Sequence, residues 1–74
     1  MIESYRLTAV RVTPRRTDVL ADLVGDGIVI AAYFSPEAGV RRGDKFTVQR
    51  TGQATWIVKH KGVVVYPIVW HFPD

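Results

Sequence analysis

Residues 54–70 read ATWIVKHKGVVVYPIVW, two apolar runs on either side of a short basic segment that ends in glycine. Short apolar runs separated by a glycine-containing turn are typical of a β-hairpin. With residues 60–62 as a three-residue loop, Val58 is expected to pair with Val64. One face of this hairpin then carries a continuous apolar stripe, which we expect to form the heart of the core: Trp56, Val58, Val64, Tyr66, Ile68 and Trp70.

The rest of the chain is divided into short runs by glycine and proline, as in an all-β domain. Residues 4–12 are compatible with a strand that Pro14 ends. Residues 45–50 alternate apolar Phe46 and Val48 with polar residues, the pattern of a half-buried strand.

Residues 17–24 are ambiguous between a strand and a two-turn helix. Thr17 could cap a helix that stops at Gly25. The hairpin is favoured, because seven or eight residues form only a marginal helix and Gly25-Asp26-Gly27 is a suitable three-residue connection to the run 28–34. We therefore predict one all-β domain over residues 1–74, a small SH3-like, Sm-like or OB-like barrel of about five or six antiparallel strands.

Size and composition restrict how such a domain is stabilised. A chain of 74 residues buries only about 60% of the surface that its unfolded form exposes. The sequence has no cysteine and only two histidines, so we expect no disulfide, metal site or cofactor. The apolar fraction of 47% is high for so small a chain and indicates a homo-oligomer.

The sequence also bears on location and catalysis. The first twenty residues contain no apolar core of a secretory signal, and the longest apolar stretch, 63–70, is much shorter than a membrane helix. We expect a cytoplasmic protein without a membrane partner. No catalytic residue is predicted, since the serines and threonines lie in no recognisable nucleophile motif and the acids lie mostly in turns.

The charge favours an anionic partner. The net charge is +3, and the basic residues are partly paired in the chain. Single-stranded nucleic acids are bound by positive grooves with flat side chains on which bases stack. We therefore predict RNA or single-stranded DNA as the partner, contacted by Arg41, Arg42, Lys45, Lys59, His60 and Lys61, with Tyr33 or Tyr66 as stacking groups.

One segment carries a family resemblance. Residues 59–67, KHKGVVVYP, resemble the second Sm motif of Hfq-type RNA chaperones, in which lysine-histidine is followed by four residues, a valine, one more residue and a proline. The resemblance covers these nine residues, and the asparagine of the family's first turn has no counterpart in this asparagine-free chain. It implies that Lys59 and His60 contact uridine-rich RNA.

A second hypothesis belongs to another class of function. A compact protein-interaction module, such as a phage- or plasmid-encoded regulator that docks on a host protein, would use an exposed strand edge. The terminal apolar patch Trp70, His71 and Phe72 is the predicted contact with a subunit or partner. Nucleic-acid binding should weaken with salt and apolar docking should not. The sequence leaves open the partner's identity and the number of subunits.

Overall fold

The computed structural model describes residues 3–53 and 55–71, and these form a single antiparallel sheet of seven strands in the order β6-β5-β4-β1-β2-β3-β7. A short 3-10 helix, Pro36–Ala38, lies between β3 and β4. Within these residues no helix is long and apolar enough to cross a membrane. The strands are β1 (Glu3–Pro14), β2 (Val19–Gly25), β3 (Ile28–Phe34), β4 (Lys45–Arg50), β5 (Trp56–His60), β6 (Val63–Val65) and β7 (Val69–His71).

Two tight turns set the register of the hairpins. Asp26 and Gly27 join β2 to β3, with φ of 46° and 81°, and Lys61 and Gly62 join β5 to β6, with φ of 54° and 84°. Positive φ at both central residues is the signature of a two-residue type I′ turn, whose twist matches that of the strands. The ambiguous segment 17–24 is therefore in a strand, as favoured, but both connections are one residue shorter than predicted.

The shorter turn changes the last hairpin. His60 pairs with Val63 and Val58 with Val65, so the predicted pairing of Val58 with Val64 is wrong by one residue. A shift of one residue turns every side chain of a strand to the other face. Val64 therefore points outward, and Val65 takes its place against the core. The first residue of the predicted strand, Ala54, lies outside the described residues.

The long strand β1 bends the sheet. Its first half pairs with β4 and its second half with β2, with a bulge between Ala9 and Arg11. At the bulge, β1 forms main-chain hydrogen bonds with the loop before β4 and no longer with β4 itself. The N–H of Ala9 donates to the carbonyl of Asp44 (3.0 Å), and the N–H of Gly43 donates to the carbonyl of Ala9 (2.7 Å). Bulges increase local twist and help a sheet to coil.

The two edges of the sheet come close together. β6 and β7 lie at opposite edges, yet only residues 66–68 separate them in the chain. Four steps of extended chain span at most about 14 Å, so the sheet must curl. Trp56 of β5 and Trp70 of β7 meet edge to face across the opening, with ring centroids 6.1 Å apart. The sheet is thus a half-barrel, which confirms the all-β prediction.

The core lies on the inner, concave face. Trp56 and Trp70, which were predicted in the core stripe, are only partly buried and pack against the margin of the core. Three other members of the predicted stripe are exposed, so the prediction is wrong for them: Val64, Tyr66 and Ile68. The fully enclosed side chains come from five strands, with Val40 added from the loop before β4: Leu7, Ala9, Ala21, Leu23, Ile30, Ala32, Phe34, Phe46, Val48 and Val58.

Candidate functional site

Asp44 joins two loops at one end of the sheet. Its side chain is only 10% exposed, and its Oδ2 atom accepts a hydrogen bond from the main-chain N–H of Arg41 (2.9 Å). The same oxygen lies 2.6 Å from Nε2 of His60, and Oδ1 lies 3.6 Å from Nζ of Lys61. One carboxylate therefore holds the loop 41–44 against the turn between β5 and β6.

Main-chain bonds reinforce this junction. The N–H of Lys61 donates to the carbonyl of Lys45 (3.0 Å), and the N–H of Asp44 donates to the carbonyl of Arg41 (3.1 Å). The two basic regions of the sequence, around Arg41 and Arg42 and around Lys61, thus meet at the same end of the half-barrel.

The pairing of β1, β4 and β5 places further basic side chains on the outer, convex face of the sheet. Because Phe46, Val48 and Val58 point into the core, the alternate residues of β4 and β5 point outward. Lys59 pairs with Thr47, which in turn pairs with Arg6 of β1. We call the resulting surface the basic face: Arg6, Arg41, Arg42, Lys45, Lys59 and Lys61.

Few acids oppose the basic face. Among residues 3–53 and 55–71, Lys61 is the one member in an ion pair, and that pair is with the largely enclosed Asp44. Lys45 donates to the hydroxyl of Thr8 (3.1 Å), and the carboxylate of Asp26 accepts from the main-chain N–H of Arg6 (2.7 Å). Most of these cations therefore keep their charge available for an external anion.

Comparison of the chain with protein-family models, with curated proteins and with solved structures finds no match.

His60 lies under the basic face rather than on it. The residue is 9% exposed, and its ring stacks on Phe46 with centroids 4.7 Å apart and an interplanar angle of 16°. With Nε2 also engaged by Asp44, the imidazole supports the junction from inside. The direct contact between His60 and a nucleic acid that the sequence predicts would have to use the small exposed part of this residue, and it stays a prediction.

The two predicted stacking residues lie elsewhere. Tyr33 is on the outer face of β3, under the guanidinium of Arg15 (4.9 Å to the ring centroid) and edge-on to His71 (6.2 Å). Two strands, β1 and β2, separate it from β4. Tyr66 is 86% exposed in the linker after β6 and borders an apolar groove of about 360 Å³. Neither tyrosine belongs to the basic face.

The predicted terminal patch is divided. Trp70 lines the apolar groove with Trp56 and Val65 and is partly buried, whereas His71 is exposed beside Tyr33. Phe72 lies outside the described residues.

Two features of the site are absent from the sequence-based predictions, the outward position of Arg6 and the role of Asp44. The outward position of Arg6 could have been found, because it alternates with apolar Tyr5 and Leu7 in a predicted strand. The pairing of Asp44 with His60, sixteen positions apart, has no local signal. Within the described part of the chain, no group of three or more histidine, cysteine or acidic residues could hold a metal ion.

The Asp44 network predicts acid sensitivity. Burial raises the pKa of the Asp44 carboxyl, but its hydrogen bonds to His60 and Arg41 and the charge of Lys61 outweigh burial and lower the pKa below 3.8. A carboxyl whose pKa is lower in the folded than in the unfolded protein stabilises the fold above the unfolded pKa, and this stability is lost as the pH falls through the folded pKa.

We therefore expect the free energy of unfolding to fall below about pH 4, and less steeply for Asp44→Asn. Urea unfolding monitored by circular dichroism at several pH values measures this. Glu37→Gln, in the exposed 3-10 helix, is the matched control for loss of one carboxyl. An Asp44→Asn variant with the same acid dependence as the parent and the control would contradict the role given to Asp44.

Proposed function

We propose that this protein binds RNA or single-stranded DNA through the basic face, without catalysing a reaction. One observation carries the proposal: the Asp44 network brings two basic regions, separate in the sequence, to one end of the sheet. The cations there have almost no acidic partners in the described residues, so a polyanion can replace their counterions.

The chemistry of the surface favours phosphate contacts over base reading. Lysine and arginine contacts to phosphate position a nucleic acid without specifying its sequence. Thr8, Thr47 and Gln49 accompany the cations on the outer face and can donate further hydrogen bonds to phosphate or sugar. The described residues contain no α-helix that could enter a major groove, which favours single strands over duplex DNA.

Salt dependence tests the proposal. Each phosphate that is neutralised on a single strand contributes about −0.7 to the slope of log affinity against log salt. A face that contacts three or four phosphates should lose roughly twenty- to fifty-fold in affinity over a fourfold rise in salt. We would titrate fluorescently labelled oligo-U, oligo-A and single-stranded DNA at two salt concentrations.

All three probes should bind with similar slopes. Failure of every probe to bind folded protein at low salt would exclude the proposal. The second hypothesis, a module that docks on a protein through apolar surface, would then become the better explanation, and a complex insensitive to salt would support it.

We further propose that the protein acts in the cytoplasm as a homo-oligomer and without a cofactor. The high apolar fraction and the large exposure of several valines, Tyr66 and Ile68 support self-association. The Sm-type resemblance of residues 59–67 stays a prediction, and the proposal does not depend on it.

A further inference from the structure

β6 is an edge strand with no visible protection. Residues Val63–Val65 pair with β5 alone, and the strand contains neither a charged residue nor a proline. Val63 is 66% exposed and Val64 42% exposed, and among the described residues no strand other than β5 pairs with β6. Natural proteins usually guard such edges with charges, bulges or a covering segment, because an open edge pairs with another strand.

The register identifies the main-chain groups that are free. In an antiparallel pair the residues alternate between hydrogen-bonded and non-hydrogen-bonded partners. His60 and Val63 close the two-residue turn, so Val63 and Val65 direct their N–H and C=O groups toward β5. Those of Val64 point away from it. Tyr66 follows the end of β6, but it precedes Pro67, which favours an extended backbone, so its main-chain groups are taken to continue the same alternation.

We infer that β6 pairs with β6 of a second copy of this chain, antiparallel about a two-fold axis that passes through Val65. Val64 of each copy then lies opposite Tyr66 of the other, and these residues exchange four main-chain hydrogen bonds. The two half-barrel sheets become one continuous sheet across the axis.

The edge is complementary to itself. On the outer face each valine at position 64 meets a tyrosine at position 66, and aromatic side chains pair well with β-branched ones across strands. Lys59 of β5 pairs with Val64 of β6. In the dimer, the pairs of Val64 with Tyr66 therefore lie between the two copies of Lys59 and keep their charges apart. An acidic peptide would find these cations only at the margin of the edge, which favours a second copy as the occupant.

The apolar area is of the size that a dimer requires. From their exposures of 66, 42, 86 and 61%, Val63, Val64, Tyr66 and Ile68 offer on the order of 350 Å² per copy. If all of this surface were covered, two copies would bury about 700 Å², and the strand edges would bring the total toward the ~1,000 Å² that is the lower limit for a specific interface.

This inference rests on the proposed self-association and is independent of nucleic-acid binding, so it is tested without nucleic acid. Sedimentation equilibrium of nuclease-treated protein should give twice the 8.3 kDa chain mass at micromolar concentrations. Val64→Lys places a charge on the edge and should give 8.3 kDa with an unchanged circular dichroism spectrum. Val29→Lys, at a valine 51% exposed on β3, is the matched control and should remain dimeric.

A parent protein of 8.3 kDa at every concentration would overturn the inference, as would a Val64→Lys variant that stays dimeric.

A cross-link tests the register directly. The chain has no cysteine, and Val65→Cys introduces one at the two-fold axis. Non-hydrogen-bonded antiparallel pairs have Cα atoms about 4.5 Å apart, within the range that a disulfide spans. Oxidised Val65→Cys protein should run as a covalent dimer in a non-reducing gel, and Val29→Cys should not. A Val65→Cys protein that stays monomeric after oxidation would overturn the proposed register.

Discussion

Phe46→Ala is expected to leave the protein largely unfolded. Phe46 is 2% exposed, contacts Phe34 (5.6 Å between centroids) and stacks on His60 (4.7 Å). Truncation of a buried phenylalanine costs about 3–5 kcal/mol. A domain of this size has a free energy of unfolding of only about 5 kcal/mol, so most of the stability is lost. Far-UV circular dichroism with urea titration measures the effect.

The control for Phe46→Ala is Val10→Ala. Val10 is 48% exposed at the bulge in β1, so its truncation should change the free energy of unfolding by about 0.5 kcal/mol or less. If Phe46→Ala unfolds at the same urea concentration as the parent, the core described above is incorrect.

The strands themselves were predictable from the sequence because glycine and proline divide this chain clearly. Residues 63–70 were predicted as one strand, but they form β6 and β7 at opposite edges of the sheet, with Pro67 between them. The segment 17–24 was ambiguous, since its eight residues fit a short helix as well as a strand. Strand pairing explains why this segment is not a helix. β2 forms hydrogen-bonded ladders with both β1 and β3, and an isolated two-turn helix is too short to be as stable.

Register was harder to predict than the presence of strands. A glycine at the last position of a loop fits both a three-residue loop and a type I′ turn. The deciding factor is the residue before it, which must accept a positive φ. Aspartate does so readily in the first turn, but Lys61 does so without any such local preference. Its main-chain bond to Lys45 and its contact with Asp44 fix it there, and both are tertiary.

The basic residues of the candidate site were predictable from the sequence, but their arrangement in space was not. The basic loops were evident in the sequence, but their meeting at one end of the sheet was not. The sequence placed most acids in turns and predicted His60 as a contact with nucleic acid, but it gave no indication that Asp44 and His60 lie together at the junction. Such a pair arises from the packing of β4 beside β5, which no local pattern encodes.

Reversal of both charges in Arg41→Glu/Arg42→Glu is expected to abolish most nucleic-acid binding. Both arginines are exposed, and the loop that presents them is fixed by the bond from the Arg41 N–H to Asp44. Each hydrogen bond to a charged group contributes about 1.5–3 kcal/mol, so loss of two phosphate contacts predicts a decrease in affinity of roughly a hundredfold or more. The salt slope should fall by about 1.4, the share of two phosphates.

A second arginine pair in the same chain supplies the control. Arg15→Glu/Arg16→Glu lowers the net charge from +3 to −1 just as the first variant does, since each reversal removes two charges. These arginines follow the other end of β1, roughly 20 Å along the strand from Thr8, the partner of Lys45. Arg15 is half exposed, but its ion-pair partner Asp18 is only 17% exposed, so the circular dichroism spectrum of the control must match that of the parent before binding is compared. Fluorescence anisotropy with labelled oligo-U at low salt compares the two. If the basic face binds the nucleic acid, the control should lose only a little affinity. Equal losses of affinity in both variants would mean that the net charge of the protein, and not this surface, attracts the nucleic acid.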